Sequence, residues 1–548
     1  MFKWLYKFDA SCISNVNISN DINIGQEVDN LYIDFNGMIH YSAQQVYNYG
    51  QQNKYTSSYN YVNATTEQMV FKNVFERLLE IFYLIKPTKN VYIMTDGIAP
   101  LCKMNQQRQR RFKQSDTKKN EDLSISKILL KIDNNLSDPK IFNPHCISPG
   151  TSFMNSISIY LHDAILKEMS TNPFLANLKI TFSNDKVVGE GEYKIFKNIR
   201  LQKKKEVNVI YGSDADIIMQ SVLSSTKSSI YILRDELYNR TVKFLLVDVD
   251  NFKAKLLNTL YVDHPLYDKY SSLRDFVTYC FMLGNDFLPN INVLSILEDG
   301  IECMISCWRK NLIENGHIVD NSYKINKKSM KNFLVLVKEY ETSVINNKLS
   351  KSIYHVDNIM LKSSNIVDTK HEIDIEQYNK NYNKEFFGKN IENFALHYLD
   401  GLEYVIQYYG LEMRSNMWAY NHHYSPTLSS IIDNIDKFVS KKIEKFVEIS
   451  NYEQLLYILP KSSYNLLPKP FHDIETPNTV INSVEMDLSG RKYIYQGVLL
   501  LPFDDIKIFQ KIFNDNKDKM NYDDIKRNMH GKDMVYKYSE SKVSMNFV

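Results

Sequence analysis

The chain has 548 residues and balances 66 Lys and Arg against 64 Asp and Glu, a formal charge of +2. It is not a polycation, so binding to nucleic acid would need a local basic patch rather than bulk charge. Hydrophobic residues make up 44% and charged residues 24%, the balance of a globular protein. No apolar run reaches about 18 residues, which excludes a membrane-spanning helix, and Met1-Phe2-Lys3-Trp4-Leu5-Tyr6-Lys7-Phe8 is too short and interrupted for a signal peptide.

Six scattered cysteines without a CxxC pair suit a reducing compartment. Cys303 and Cys307 are four apart on an expected helix, with no second ligand pair to make a zinc site. The 38 Tyr, with abundant Asn, Ile and Lys, follow A/T-rich codon usage. Length alone allows about three to four domains.

A short amphipathic helix is expected over 1–10. Leu31-Tyr32-Ile33-Asp34 reads as a buried strand broken by Asn36-Gly37. Residues 41–64 read as a helix and a polar loop. Val70, Val74, Leu78, Phe82 and Ile85 repeat at helical spacing up to Pro87. Val91–Thr95 is a second strand, leading into Asp96-Gly97. Strand–helix–strand at this spacing implies a parallel sheet. A basic helix is expected over 103–114 and a polar, mobile connection over 115–125. Another helix carries Ile157, Leu161, Ile165 and Met169.

Lys179–Phe182 is a strand, Asn208–Ser213 another ending in acid, and two short strands fall near 230–233 and 243–247. Asp250 is expected to cap a helix near Asn251. The helix carrying Phe276 to Leu283 ends at Gly284. Beyond residue 300 the chain reads as mostly helical, with a polar connection at 345–380 and a loosely packed charged tail over the last 30 or so residues.

Three strands ending in acid place carboxylates at one edge of a sheet, where ligand sites of open α/β sheets form. Glu190 and Glu192 are two apart, as are Asp214 and Asp216; in extended segments that spacing puts each pair on one side. With Asp34, Asp96 and Asp286 they supply oxygen ligands for two ions. A set without His or Cys suits Mg²⁺ or Mn²⁺ better than zinc. A single acid beside a turn is more often solvated or a cap; the set together points to metal and to phosphodiester hydrolysis.

Lys103, Gln107, Arg110 and Arg111 share one face of the basic helix, directly after the Asp96 turn. Arg forks and a Lys there suit a phosphate; alone, the patch reads equally well as a solvated helix face. A lone histidine such as His40 is usually structural, and the aromatic run around Trp418 reads as core packing.

LYIDFNGMIH, DGIAPLCKMNQQRQRRF, SPGTSFM, GEGEYKI, YGSDADIIM and RDFVTYCFMLGNDFLP, in that order, resemble the first conserved region of the XRN family of 5′→3′ exoribonucleases. GLEYVIQYYG, WAYNHHYSP, YEQLLYILP and Leu501-Pro502-Phe503-Asp504 resemble its second. The resemblance covers most of residues 1–510. It implies a metal site of Asp34, Asp96, Glu190, Glu192, Asp214, Asp216 and Asp286, and a 5′-phosphate pocket of Lys103, Gln107, Arg110 and Arg111. It also implies base stacking by His40 and Trp418, against the core-packing alternative.

The implied fold is α/β: a mixed, largely parallel sheet flanked by helices, with a mostly helical second region packed on it. The implied layout is a catalytic region at 1–300, a connection at 301–380, and a second conserved region at 381–548 that narrows the entrance. The implied activity is processive hydrolysis of single-stranded RNA from a 5′-monophosphate to nucleoside monophosphates, with two Mg²⁺ or Mn²⁺ ions.

A monomer in the cytoplasm (or the nucleus), acting after a decapping activity, is the implied setting. The chain departs from the family at its start, which lacks Met-Gly-Val-Pro, at Tyr193 for His, at Tyr495 for Trp, and at Asn421-His422. No metal ligand is lost. It looks like a compact member from a viral or otherwise divergent source. Rival classes are a flap-type DNA nuclease, which needs a duplex-binding helix–hairpin–helix not evident here, and a silent RNA-binding scaffold, which would be expected to lose acids. A metal-independent interaction module leaves the basic helix beside the acids unexplained.

Overall fold

The computed structural model describes residues 2–16, 24–47, 49, 64–129, 142–224, 227–238, 241–291, 294–539 and 542–548. Its strands are β1 (Ile13–Val16), β2 (Asn30–Asp34), β3 (Asn90–Met94), β4 (Lys179–Ser183), β5 (Val207–Tyr211), β6 (Ser229–Tyr238) and β7 (Thr241–Asp248). Two small hairpins follow, β8 (Ser364–Val367) with β9 (Lys370–Ile373) and β10 (Met486–Asp487) with β11 (Val498–Leu499). The chain ends in β12 (Met534–Ser539) and β13 (Lys542–Phe547).

Nine strands form one sheet in the order β1-β7-β6-β5-β2-β3-β4-β12-β13. The five central strands, β6 to β4, pair in parallel, and antiparallel strands flank them on both sides. The expected mixed, largely parallel sheet is what forms. The chain runs outward from β2 through β3 to β4, then returns to lay β5 on the other side of β2. The carboxyl ends of β2 and β5 therefore flank a topological switch point, where such sheets open a crevice.

Side chains alternate across the sheet. Leu31 and Ile33 point into one apolar layer, with helices Phe35–Tyr47, Ala64–Ile85 and Ser152–Thr171. Tyr32 points into the other. That second cluster continues without a break from Trp4 through helix Lys269–Met282 into helix Ile391–Gly410 and on to Phe513. The helical region thus shares its core with one face of the sheet, and residues from both can meet at the crevice.

Several local expectations are corrected. The basic helix continues through 115–125, running Leu101–Leu129 without interruption. Residues 345–380 are ordered: helices Glu341–Ser350 and Asn358–Lys362, the β8–β9 hairpin, then helix Ile375–Phe386. Short polar elements capped by Asp357 and Asp374 lack long apolar periodicity, so they read as loop. Asp248, not Asp250, caps the helix Val249–Leu260, accepting from Asn251 N at 2.9 Å.

The tail is not loose. The Tyr452 hydroxyl donates to Asp524 O at 3.1 Å, and β12 pairs with β4, which buries Tyr536 completely. The polar loop expected within 41–64 falls on residues 48 and 50–63, outside the described residues.

Candidate active site

Four adjacent parallel strands lead into six of the seven acids, and Asp286 lies on the loop after helix Lys269–Met282. Asp34 ends β2, and Asp96 follows β3. Asn36 clasps the Asp96 turn from both sides: Nδ2 donates to Asp96 Oδ2 at 2.9 Å, and Oδ1 accepts from Asp96 N at 3.2 Å. Beyond β4 the chain passes Gly189 and enters helix Gly191–Arg200 with Glu190 at its N-cap and Glu192 in its first turn. Beyond β5, Asp214 caps helix Ala215–Leu223, with Asp216 in its first turn.

The two pairs are therefore not on extended segments, as their spacing suggested. Each straddles a helix start, where exposed N–H groups and the helix dipole favour negative charge. The small residues make this approach possible. A Cβ on Gly191 would lie 2.7 Å from Met94 O and 2.9 Å from Asp34 Oδ1, and one on Gly97 would lie 1.9 Å from Val187 O.

Lys103 stands among these acids rather than on the outer face of its helix. Its Nζ lies 3.0 Å from Glu190 Oε1, 2.9 Å from Asp286 Oδ2 and 3.7 Å from Glu192 Oε1. Burial opposes its charge, but the carboxylates of Glu190, Asp286, Glu192 and Asp216 outweigh burial and hold the ammonium well above its ordinary pKa. One cation does not neutralise the set. Burial, then Asp96 and Asp214, push Asp34 well above the usual carboxylate range. Burial, then Asp286 and Asp214, push Asp216 up to about 7.

Glu190 and Glu192 are raised by burial in spite of Lys103. Glu192 Oε1 is buried without a hydrogen-bond donor. Among the described residues no three His, Cys, Asp or Glu side chains are close enough to hold an ion as they stand. The donor chemistry nonetheless fits a hard divalent cation: seven carboxylates, several under-neutralised, and one buried oxygen, Glu192 Oε1, without a hydrogen bond.

The remaining basic residues lie one to two turns along the same helix. Arg111 is half-buried. Its Nη2 donates to Ser148 Oγ at 2.7 Å and its Nη1 to Gln107 O at 3.2 Å, while its buried Nε has no acceptor. Burial, together with Arg110, pushes the Arg111 guanidinium down to about 9. Gln107 Oε1 is also buried and unpartnered; with its amide turned over it would present a donor there. Arg110 is exposed and lines, with Asp286, a cavity of about 320 Å³.

His40, on helix Phe35–Tyr47, completes this corner. Burial, then Arg110 and Arg111, push its imidazole down to about 4, so the ring is neutral at physiological pH. A buried donor without an acceptor, Arg111 Nε, beside two adjacent cations is what an anion would satisfy.

The model for the XRN 5′-3′ exonuclease N-terminus matches residues 1–236, and the model for the Xrn1 helical domain matches 267–390 and 375–548. This chain belongs to the XRN family. Human 5′-3′ exoribonuclease 1 is 26% identical over 98% of the chain. The Drosophila melanogaster 5′-3′ exoribonuclease 2 homolog is 26% identical over 94%, and Saccharomyces cerevisiae 5′-3′ exoribonuclease 1 is 24% identical over 94%. The chain spans 35%, 69% and 43% of those three proteins' own lengths. The catalytic core of Rad2 in complex with DNA substrate superposes with a TM-score of 0.30 at 10% identity, covering 79% of this chain and 98% of that one.

Trp418, the other residue that the XRN resemblance assigns to base stacking, sits against the start of the basic helix. Trp418 is buried, its ring stacked on Tyr404 at 4.4 Å and its Nε1 bonded to Asp400 Oδ2 at 2.8 Å. Gly401 packs against the edge of the same ring, where an added Cβ would lie 3.0 Å from the indole. Its backbone carbonyl instead accepts from Cys102 N at 3.1 Å, while Asn416 O accepts from Leu101 N at 2.9 Å. Trp418 thus anchors the segment that caps the basic helix.

Three residues of the site carry no role in the sequence reading. Tyr408 donates to Glu190 Oε2 at 2.8 Å and Tyr409 to Asp216 Oδ2 at 2.6 Å, so the helical region reaches into the acidic cluster. Lys194 Nζ donates to Thr95 O at 2.7 Å and Asn184 O at 3.3 Å, tying the β3 and β4 exits together. All three sit inside the motifs GLEYVIQYYG and GEGEYKI, but nothing in their spacing separates them from core tyrosines and surface lysines.

Proposed function

We propose that this chain is a metal-dependent 5′→3′ exoribonuclease that removes nucleoside monophosphates from single-stranded RNA bearing a 5′-monophosphate. The observation that carries the proposal is the double use of one helix. Lys103 reaches into the acidic cluster, while Arg110 and Arg111, about 11 Å further along the helix axis, set two cations side by side with the buried Arg111 Nε left without an acceptor. A terminal phosphate held by the second group sets a fixed register for the first phosphodiester at the acids.

Asp34, Asp96, Glu190, Glu192, Asp214, Asp216 and Asp286 would hold Mg²⁺ or Mn²⁺, with Lys103 giving up part of its ion pairing. When bound, such ions activate water and stabilise charge at the leaving 3′-oxygen. Arg110 and Arg111 bind the 5′-phosphate by charge-assisted hydrogen bonds, which a 5′-hydroxyl cannot accept in the same way. His40, neutral beside them, offers a flat face for the terminal base. Tyr408 and Tyr409 orient Glu190 and Asp216, each through one carboxylate oxygen.

RNA made available by decapping is a substrate of the right chemistry. Six free cysteines fit a cytoplasmic or nuclear setting, and among the described residues no helix is long and apolar enough to cross a membrane. A monomer suffices, because one chain supplies every group named.

The test is digestion of matched single strands of RNA and DNA, both 5′-phosphorylated, with products resolved by chromatography. Release of mononucleotides from RNA in strong preference to DNA supports the proposal. Internal fragments, or equal use of DNA, would overturn it.

A further inference from the structure

The segment Arg491-Lys492-Tyr493-Ile494-Tyr495-Gln496 borders the site described above and carries no role in it so far. The β10–β11 ladder closes it, with Met486 opposite Leu499 and Asp487 opposite Val498. Gln496 Oε1 accepts from Lys492 N at 3.2 Å and Tyr493 N at 2.9 Å, which gives the tip one defined shape. On it the Tyr493 and Tyr495 rings are stacked, centroids 5.2 Å apart and planes 9° from parallel.

Tyr493 is 41% exposed and Tyr495 67% exposed. Lys492 Nζ lies 5.2 Å from the centre of the Tyr493 ring. A single exposed aromatic is ordinary. Two parallel rings on a pinned turn, flanked by Arg491 and Lys492, form a flat, cationic-edged surface turned to solvent.

Its place in the fold supplies the occupant. Arg491, Gln496 and Gly497 line the same cavity of about 320 Å³ as Asp286 and Arg110. Arg491 Nη1 also donates to Asn290 Oδ1 at 3.2 Å, on the loop that carries Asp286. The turn is therefore the rim of the cavity that leads to the acids. A strand whose 5′ end is held inside must leave past such a rim, presenting phosphates and unstacked bases. Cations suit the former, and an aromatic face accepts any base without sequence preference.

We propose that Tyr493 and Tyr495, with Arg491 and Lys492, form a stacking platform for nucleotides downstream of the 5′ end of single-stranded RNA. This rests on the exoribonuclease proposal above and adds a second hold on the substrate. The platform retains the strand after each mononucleotide leaves, so affinity grows with RNA length beyond what the terminal pocket supplies.

The test compares the full chain with Y493A/Y495A and with Y493F/Y495F, which keeps both rings. Binding of 5′-phosphorylated RNA of about twenty and roughly three nucleotides is measured by fluorescence anisotropy in EDTA, and turnover of both is measured with Mg²⁺. The alanine pair should raise Kd for the long RNA by about fivefold or more while leaving the short one unchanged, and the phenylalanine pair should match wild type. Unchanged long-RNA affinity in the alanine pair overturns the platform, as does an equal loss on both lengths. A wild-type chain that binds long RNA through these tyrosines but cleaves nothing overturns the proposed activity and leaves the platform standing.

Discussion

Lys103 Nζ and Glu190 Oε1 stand 3.0 Å apart, and the same ammonium is 2.9 Å from Asp286. The lysine does for the acids what a metal ion would do, in part. Replacing it with methionine leaves buried carboxylates facing one another, at a cost of about 3 kcal/mol in metal-free protein. Thermal melts of Lys103→Met in EDTA should fall below wild type, and Mg²⁺ should raise the variant's melting temperature more than the wild type's. Equal melts in EDTA would show that Lys103 does not stabilise the cluster.

Asp214 caps helix Ala215–Leu223 by accepting from Asp216 N at 3.3 Å. Asparagine is an equally good cap. Asp214→Asn should therefore keep the fold and the RNA affinity while removing a charge from the cluster, and turnover should drop by at least about a thousandfold, a loss of about 4 kcal/mol in transition-state stabilisation. Retained turnover in this variant would remove Asp214 from the set of ligands.

His40 is held neutral, its pKa pushed down from 6.5 to about 4 by burial and by Arg110 and Arg111. The unfolded chain binds a proton there at a higher pH than the folded one. The stability the neutral ring contributes is therefore complete above pH 6.5 and is lost as pH falls from 6.5 towards about 4. An NMR titration should place the His40 midpoint near 4 and move it upward when a nucleoside 5′-monophosphate neutralises the arginines. A midpoint near 6.5 would mean the ring lies away from both.

Tyr536 fills the seam between the C-terminal hairpin and the sheet, fully buried, with its hydroxyl 2.8 Å from His162 Nδ1. Tyr536→Ala should cost about 3–5 kcal/mol in chemical unfolding, and Tyr536→Phe about 1 kcal/mol. A loss below 1 kcal/mol for the alanine would mean the hairpin is dispensable to the sheet.

The strands and their acids were legible because buried parallel strands are short apolar runs, and the turns after them are marked by Gly and Asn. Asp34, Asp96 and Asp214 follow from that pattern alone. The conformation at Glu190 and Glu192 was not legible, since a two-residue spacing fits a strand and a helix start equally well. The place of Lys103 was hidden because a helix face fixes direction but not depth. The docking of β12 beside β4 joins positions more than 350 apart, and nothing local in Met534–Ser539 names its partner. The hold of Asp400 and Tyr404 on the Trp418 indole was not legible either, since an aromatic run does not name its partners.

The most direct test of the account presents one RNA with a 5′-monophosphate, a 5′-triphosphate or a 5′-hydroxyl, each with Mg²⁺ and with EDTA. Rapid loss of the monophosphate form alone, only with Mg²⁺ and with mononucleotide products, is the expected result. Equal degradation of all three would contradict the phosphate pocket at Arg110 and Arg111, and degradation in EDTA would contradict the metal site.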